Sequence, residues 1–435
     1  MKRRIEKDLV EWKNAEQRSP LLMTGARQVG KTYTVKKFGR ENFSRLAYIS
    51  FDNNPRLEKV FESSINPDEL LPLLSAEAGV PIDGNTLLVF DEVQIIPRAL
   101  TALKYFNENR PDLAVVATGS TLGVTLHKGV QFPVGKINRL ELYPMTFIEF
   151  LWALGEEQLA DLVENIDTNL GIFHNKLVNL LLQYMFVGGM PLPVLRYANT
   201  RNFTAVRKIQ TEILKDYRDD FSKYSTAGFA AKLRLLWDNI PTQLARENKK
   251  FLYGAVREGA RARDFEAAIE WLKDSSLINI VNRITAPTVP LKSYEEFNVF
   301  KIYIHDVGLL SAMAGVSEKI ILDSEGIFRE FKGSLAEQFA CQELVAYNYN
   351  PAYWTGNSEA EIDFVIQGYR GEIVPIEIKS GTNLRAKSLK IYIEKYQPRI
   401  AIRSSQADYK KTNNLYDVPL YLLSSFAASL HNLNI

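Results

Sequence analysis

The chain has 435 residues, of which 46% are hydrophobic and 24% charged, and a formal net charge of +2. That length exceeds what one hydrophobic core sustains, so two or three domains are expected, with the composition of an ordinary soluble globular protein. The near-neutral balance excludes whole-chain attraction to nucleic acid, so any such surface has to be a local patch. The single cysteine, Cys341, lies in an apolar helical stretch and can form no internal disulfide, which reads as a buried residue in a reducing compartment. The first residues, Met-Lys-Arg-Arg-Ile-Glu-Lys-Asp, have no apolar core after their charges, and no run approaches the roughly 18 apolar residues of a membrane span. A cytoplasmic protein without a membrane segment is expected.

Residues 1–17 set charges against Ile5, Leu9, Val10 and Trp12, which predicts an amphipathic helix leading into a first strand. That strand ends at Gly25, and Gly25-Ala26-Arg27-Gln28-Val29-Gly30-Lys31-Thr32 fills the G-x-x-x-x-G-K-[ST] template, with Tyr33 following. Glycine lets backbone N–H groups turn inward around phosphate oxygens, and the helix opening at Lys31 adds its positive end. Lys31 is expected to reach the β- and γ-phosphates and Thr32 to hold Mg²⁺, so ATP and Mg²⁺ are the expected ligands of Gly25–Tyr33. The competing reading is a glycine-rich turn of no function; the apolar strand before it and the helix after it favour the nucleotide.

Leu46–Phe51 reads as a second strand, ended by the turn cluster Asp52-Asn53-Asn54-Pro55, and Thr86–Phe90 as a third that runs straight into Asp91-Glu92. Asp91 follows Lys31 by 60 positions. An apolar strand ending in Asp-Glu after a complete phosphate loop is the second phosphate-site element, with Asp91 in the Mg²⁺ shell and Glu92 polarising the attacking water. The plainer alternative for Glu92 is a neighbour of a helix cap. A helix over Pro97–Asn109 then leads to a fourth strand at Leu113–Ala117 and to Thr118-Gly119-Ser120, where a hydroxyl senses the γ-phosphate or simply closes a turn. Lys136–Tyr143 alternates like a fifth strand. Short apolar strands separated by helices imply a parallel sheet covered on both faces, with its ligand at the strands' C-terminal ends.

From Phe147 to Asp220 the apolar spacing is helical, broken at Gly188-Gly189-Met190-Pro191. Residues 228–314 read as a winged helix, with helices near Ala230–Leu236, Leu252–Glu258 and Asp264–Asp274, strands at Leu277–Val281 and Lys301–Ile304, and a wing at Pro287–Pro290. Arg257, Arg261 and Arg263 cluster there, yet the would-be recognition helix carries Asp264, Glu266, Glu270 and Asp274, which phosphate repels. An interdomain or protein-contact role is therefore favoured over DNA for this segment.

The last segment holds a second constellation. Glu337 lies on a helix, Asp363 in the strand-like Ala360–Ile366, and Glu377 and Lys379 in a strand after the Gly368–Gly371 turn. Residues two apart on a strand share a face, so Glu377 and Lys379 project together, with Asp363 expected nearby at the end of the preceding strand. Two carboxylates and a third acid can hold a divalent metal, here on Asp363 and Glu377, while a lysine orients water and offsets charge at a phosphodiester. The alternative is a solvated strand face. Downstream, Lys387, Lys390, Lys395, Arg399, Arg403, Lys410 and Lys411 alternate with Tyr392, Tyr396 and Tyr409, a pattern that either tracks a phosphate backbone or marks a solvated face.

These constellations in this order resemble a family of bacterial and archaeal AAA-type ATPases in which a P-loop domain precedes a C-terminal domain of unknown function. The resemblance rests on Gly25–Thr32, Val89-Phe-Asp-Glu-Val-Gln94, Ala117–Ser120, Leu142-Tyr-Pro-Met-Thr-Phe-Ile-Glu-Phe150, Glu361–Phe364 and Glu377-Ile-Lys-Ser-Gly381. It implies an α/β ASCE-type P-loop fold with strand order 5-1-4-3-2, Glu92 as catalytic base and Ser120 or Thr118 as sensor. It further implies an α-helical and winged-helix segment, then an α/β domain like the PD-(D/E)XK restriction endonucleases. The expected division is 1–150 ATPase, 151–225 helical lid, 226–325 winged helix and 326–435 nuclease-like domain. Expected catalytic residues are Lys31 and Glu92, then Glu337, Asp363, Glu377 and Lys379; expected partners are ATP, DNA, a protein at the winged helix, and further copies of the chain. One departure matters: relatives carry Gly-Arg where this chain has Gly135-Lys136. Lysine is not equivalent to arginine for bidentate contact, and with Arg139 as an alternative donor the arginine finger stays unassigned. A non-cleaving, nucleotide-gated binding module is the first rival reading. A GTPase or small-molecule kinase is the second, weakened by the lack of an Asn-Lys-x-Asp motif.

Overall fold

A computed structural model describes residues 1–120, 135–223, 225–246, 249–319, 329–356, 360–382 and 384–430, without the side chains of 168–169 and 329–331. The chain divides into two units, Met1–Tyr143 with Glu270–Leu277, and Pro144–Ile269 with Ile278–Ile435.

In the first unit, helix α1 (Ile5–Asn14) precedes β1 (Leu21–Thr24) and α2 (Lys31–Asn42), followed by β2 (Arg45–Ser50), α3 (Pro55–Ser63), α4 (Pro67–Ala78), β3 (Thr86–Asp91), α5 (Pro97–Asn109), β4 (Ala114–Thr118) and β5 (Asn138–Glu141). The five strands form one parallel sheet in the order β2-β3-β4-β1-β5, which is the expected 5-1-4-3-2 order read from the other edge. Strands β3 and β4 are buried along their whole length, as an apolar strand covered on both faces must be. On one face Ile49, Leu88, Phe90 and Val115 pack against Leu57 and Phe61 of α3, Leu70 and Leu74 of α4, and Leu103 and Phe106 of α5. Phe90 is the centre of that layer, with ring centroids 5.6 Å from Phe51, 5.8 Å from Phe61 and 5.9 Å from Phe106. Truncating a core phenylalanine costs about 3–5 kcal/mol, and here it would also loosen the strand that ends in Asp91. β5 is mostly exposed and shorter than the alternation over Lys136–Tyr143 implied, as suits an edge strand.

The second unit is helical before it is stranded. α6 (His174–Val187) ends at Gly188, as the glycine pair implied, and a Cβ there would lie 2.3 Å from Asp306 Oδ1. Helices α7 (Phe203–Lys223) and α8 (Ala227–Leu244) follow. β6 (Ile278–Ile284) and β7 (Glu295–Ile304) pair antiparallel. Beyond them lie α9 (Val307–Met313), α10 (Arg329–Ala346), β8 (Ala352–Thr355), β9 (Glu361–Gln367), β10 (Ile373–Ile378), α11 (Lys387–Tyr396), β11 (Ala401–Ser405), β12 (Lys410–Thr412) and β13 (Leu415–Pro419). All eight strands make one sheet, β12-β13-β11-β10-β9-β8-β6-β7. The hairpin read as part of a winged helix is thus continuous with the strands read as nuclease-like, because β6 also pairs with β8. Among the described residues no helix is long and apolar enough to cross a membrane.

Candidate functional site

The strand order sets the first site. β4 lies between β1, which ends in the phosphate loop, and β3, which ends in Asp91-Glu92. The last residue of β4, Thr118, is accordingly in reach of both acids: its hydroxyl donates to Asp91 Oδ1, and it accepts a bond from the Glu92 backbone N–H at 3.4 Å. The Thr32 hydroxyl donates to Asp91 Oδ2 at 2.9 Å, and Tyr48 donates to the same oxygen. Three hydroxyls therefore converge on one buried carboxylate, an oxygen-rich set suited to a hard cation such as Mg²⁺.

The loop between β1 and α2 has the conformation its glycines permit. Gly25 has φ 135° and Gly30 φ 97°, and a Cβ on Gly25 would lie 2.2 Å from the Leu142 carbonyl oxygen. Gln28 also adopts a left-handed conformation, Ala26 and Val29 are buried, and Arg27 and Tyr33 are exposed. Lys31 is 6% exposed, and its Nζ donates to the carbonyls of Gly25 and Ala26, each at 2.9 Å. Burial, only partly offset by Glu92 and Asp91, lowers its pKa to about 8. A desolvated ammonium whose hydrogen bonds, among the described residues, go to neutral carbonyls is ready to exchange them for phosphate oxygens. With the oxygen set on Asp91, this is the donor set that Mg²⁺–ATP requires.

Glu92 is held off the strand in a left-handed conformation, φ 58°, which a β-carbon disfavours. Its Oε2 accepts from Gln94 Nε2 and, at 3.3 Å, from the Ser120 hydroxyl. Glu92 and Ser120 are thereby brought together, while Thr118 serves Asp91. Lys136, the departure from the expected arginine, pairs with Glu108 at 3.2 Å. Tyr48 and Arg3 were not singled out by sequence, since each sits outside the two motifs and reaches them only through the fold; Gln94 lies in the quoted stretch Val89–Gln94 but was given no role there.

The second unit brings together the other four expected residues. β9 and β10 are antiparallel with Ile376 opposite Phe364, so Glu377 and Asp363 fall opposite each other on the reverse face. Asp363 is the third residue of its strand, near its start rather than at its end, because β9 begins at Glu361. Asp363 Oδ2 accepts from the Ile378 N–H at 2.8 Å, and Lys379 Nζ is 2.7 Å from Glu377 Oε1. Glu337 on α10 is bound by Lys249 and accepts from the Tyr303 hydroxyl at 3.2 Å. Lys301, fully buried on β7, pairs with Glu361 at 2.6 Å. Burial and the charges of Glu337 and Glu377 push Asp363 well above the usual carboxylate range. Burial raises Glu377 too, with Lys379 opposing, whereas Lys249 and Lys301 overcome burial and hold Glu337 low. Glu377 Oε2 is buried without a hydrogen-bond partner among the described residues. Among those residues no group of three or more His, Cys, Asp or Glu is arranged to share a metal ion. Lys249, Lys301 and Tyr303 were missed from sequence, although a lysine inside the apolar run Phe300–Ile304 was a visible signal. Of the aromatic residues read as alternating with basic ones, Tyr392 is buried against Trp354, with centroids 5.1 Å apart, so it belongs to the core rather than to a stacking surface.

Comparison with known proteins finds matches to three parts of the chain. Residues 17–151 match the model of an AAA domain, while 178–320 and 332–423 match two domains of unknown function, DUF8612 and DUF4143. No curated protein matches the chain. Among solved structures, a Walker-type ATPase of Pyrococcus abyssi is 18% identical, with a TM-score of 0.44 over 71% of this chain and 94% of that one. The ORC1 protein of Aeropyrum pernix, solved with DNA, is 14% identical, with a TM-score of 0.30 over 72% and 91%. A Thermotoga maritima RuvB variant is 15% identical, with a TM-score of 0.29 over 63% and 87%. Likenesses at these scores add no functional weight; the domain match and the sheet order do. The first unit carries an AAA-type P-loop ATPase domain.

Proposed function

We propose that the protein binds and hydrolyses Mg²⁺–ATP in its first unit and uses the cycle to control a second unit that acts on or binds DNA. The observation that carries the ATPase reading is the convergence of Lys31, Thr32, Asp91, Glu92 and Ser120 through the order β3-β4-β1. Bound Mg²⁺–ATP supplies an electrophilic γ-phosphorus and a cation that offsets charge developing on its oxygens. Thr32 and Asp91 would hold the cation, and Lys31 would leave the Gly25 and Ala26 carbonyls for the phosphates. Glu92 takes a proton from the attacking water at Oε2, an oxygen held in place by Gln94 and Ser120. Glu92→Gln keeps those contacts and removes the base, so ATP affinity should persist while turnover falls by about 10²–10⁴-fold; turnover at the wild-type rate would move the base elsewhere.

For the second unit, the cross-strand pair Asp363–Glu377 with Lys379 beside it, and a Glu377 Oε2 without a partner among the described residues, support a nuclease-like site. Asp363 and Glu377 would hold the cation, and Lys379 would face the phosphodiester. The alternative is a nucleotide-gated binding module without cleavage, with the winged-helix segment contacting a protein. It is supported by Lys249 and Lys379 already neutralising Glu337 and Glu377. Incubating labelled linear, nicked and single-stranded DNA with Mg²⁺ or Mn²⁺, with and without ATP, separates the two. Cleavage lost in Lys379→Ala establishes the nuclease; intact ATPase without cleavage establishes the binding module.

A further inference from the structure

The N-terminal segment reaches the phosphate loop through Arg3. Arg3, only 5% exposed, donates from Nη1 to the Val29 carbonyl at 2.9 Å and from Nη2 to the Tyr143 carbonyl at 2.6 Å. Its backbone N–H bonds Glu6 at 3.1 Å, and Glu6 is in turn held by Lys37 of α2 at 2.8 Å. Helix α1 is seated by buried Leu9 and Trp12, the latter 6.4 Å from Phe38 of α2 between ring centroids. Arg3 therefore lies just before an element that packs against the helix the loop opens.

The two carbonyls it holds mark the two ends of the loop. Val29 is the residue before Gly30-Lys31. Tyr143 follows Leu142, whose N–H bonds Thr24 at 2.9 Å and whose carbonyl fills the space a Cβ on Gly25 would need. A peptide unit is planar and trans, so the Val29 carbonyl and the Gly30 N–H point in opposite directions. A guanidinium holding that carbonyl on the outside turns the Gly30 N–H toward the inside of the loop, where phosphate oxygens bind. Arginine's rigid fork can serve both carbonyls at once; a lysine ammonium on a single flexible stem cannot bridge them in the same way.

We infer that Arg3 is a positioning residue for the phosphate loop, presetting the Gly30 N–H for ATP; this rests on the ATPase reading above. Backbone donors that grip the non-reacting phosphates act alike in the ground and transition states, so their loss raises KM more than it lowers kcat.

Steady-state ATPase of the full-length chain is measured against ATP concentration for wild type, Arg3→Ala and Arg3→Lys, with Lys31→Ala as control and unfolding followed without nucleotide. The expected result is a KM raised about tenfold in Arg3→Ala with kcat within about threefold, and a smaller rise in Arg3→Lys. A role in folding alone lowers the active fraction, hence the apparent kcat, and leaves KM unchanged, which would overturn the inference. If Arg3→Ala does not fold, Arg3→Lys decides: a wild-type KM removes the bridge. Wild-type activity in Lys31→Ala would remove the ATPase reading and this inference with it; inactive Lys31→Ala beside an unshifted Arg3→Ala would remove the inference alone.

Discussion

Each unit buries a lysine, and the two lysines are treated in opposite ways. Lys31 lies in the phosphate loop against neutral carbonyls, and burial, only partly offset by Glu92 and Asp91, brings it down to about 8. Lys301 is 0% exposed, yet Glu361, Glu337 and Asp363 overcome burial and raise it. A buried cation is tolerated when its counter-charge is built into the protein, and it becomes a binding element when that charge has to arrive from outside. The first unit has left a charge for a ligand to satisfy; the second has largely satisfied its own.

The sharpest way to break this contrast is Lys301→Met. It removes the cation from between Glu361, Glu337 and Asp363 without changing side-chain length much. Breaking a buried ion pair from one side costs about 3–5 kcal/mol, so the second unit's unfolding transition in denaturant should move to markedly lower concentration. An unmoved transition would show that Lys301 is not needed to neutralise the acids.

Lys31→Met should do the reverse. Nucleotide affinity should fall by about 100-fold or more, since a charged partner of phosphate is lost. Stability without nucleotide should rise, by on the order of 1–3 kcal/mol at pH 7, because a penalty on the buried ammonium is removed. The pH dependence follows from the lowered pKa. Between about 8 and the ordinary 10.5 the unfolded chain binds the proton and the folded one does not, so wild-type stability rises with pH across that window. The advantage of Lys31→Met should therefore be largest below pH 8 and fade by pH 10.5. In wild type, ATP affinity should be flat below about pH 8 and weaken by up to about tenfold per unit above it, because binding then requires proton uptake. Isothermal titration in two buffers of different ionisation enthalpy reads that uptake directly; no uptake at pH 9 would contradict the lowered pKa.

How much of this was open to a reader of the sequence depended on how local each constraint is. Gly25–Thr32 was legible because each of its four fixed positions answers to a rule acting within a few residues: two glycines in left-handed backbone, a lysine, a hydroxyl at a helix start. Asp91-Glu92 was legible because an apolar strand ended in it at a suitable distance from Lys31. The facing of Asp363 and Glu377 was legible from strand periodicity and one short turn, although Asp363 was expected at the end of β9 and the strand runs on past it to Gln367. Contacts made by the fold across long separations were not legible. Arg3 reaches Val29 and Tyr143, 26 and 140 positions away, and Lys249 reaches Glu337 across 88. No spacing rule announces such pairs. For the same reason a hairpin at 278–304 gave no warning that it would extend the sheet holding Glu377.

The smallest expected effect tests the self-sufficiency of the second unit most finely. Asp363→Asn keeps an oxygen for the Ile378 N–H and removes a carboxylate that burial, Glu337 and Glu377 all disfavour. A carboxylate whose folded pKa is raised contributes stability that is full below its unfolded pKa of 3.8 and lost as pH rises through the folded value. Asp363→Asn should therefore melt within a few degrees of wild type, slightly above it at pH 8, with the difference shrinking or reversing toward pH 4. If the lysines complete the site, adding Mg²⁺ or Mn²⁺ should shift neither protein's melting temperature. A metal-dependent rise in wild type that vanishes in Asp363→Asn would instead show that Glu377 Oε2 and Asp363 share a cation, and that the second unit, like the first, keeps a charge for something it binds.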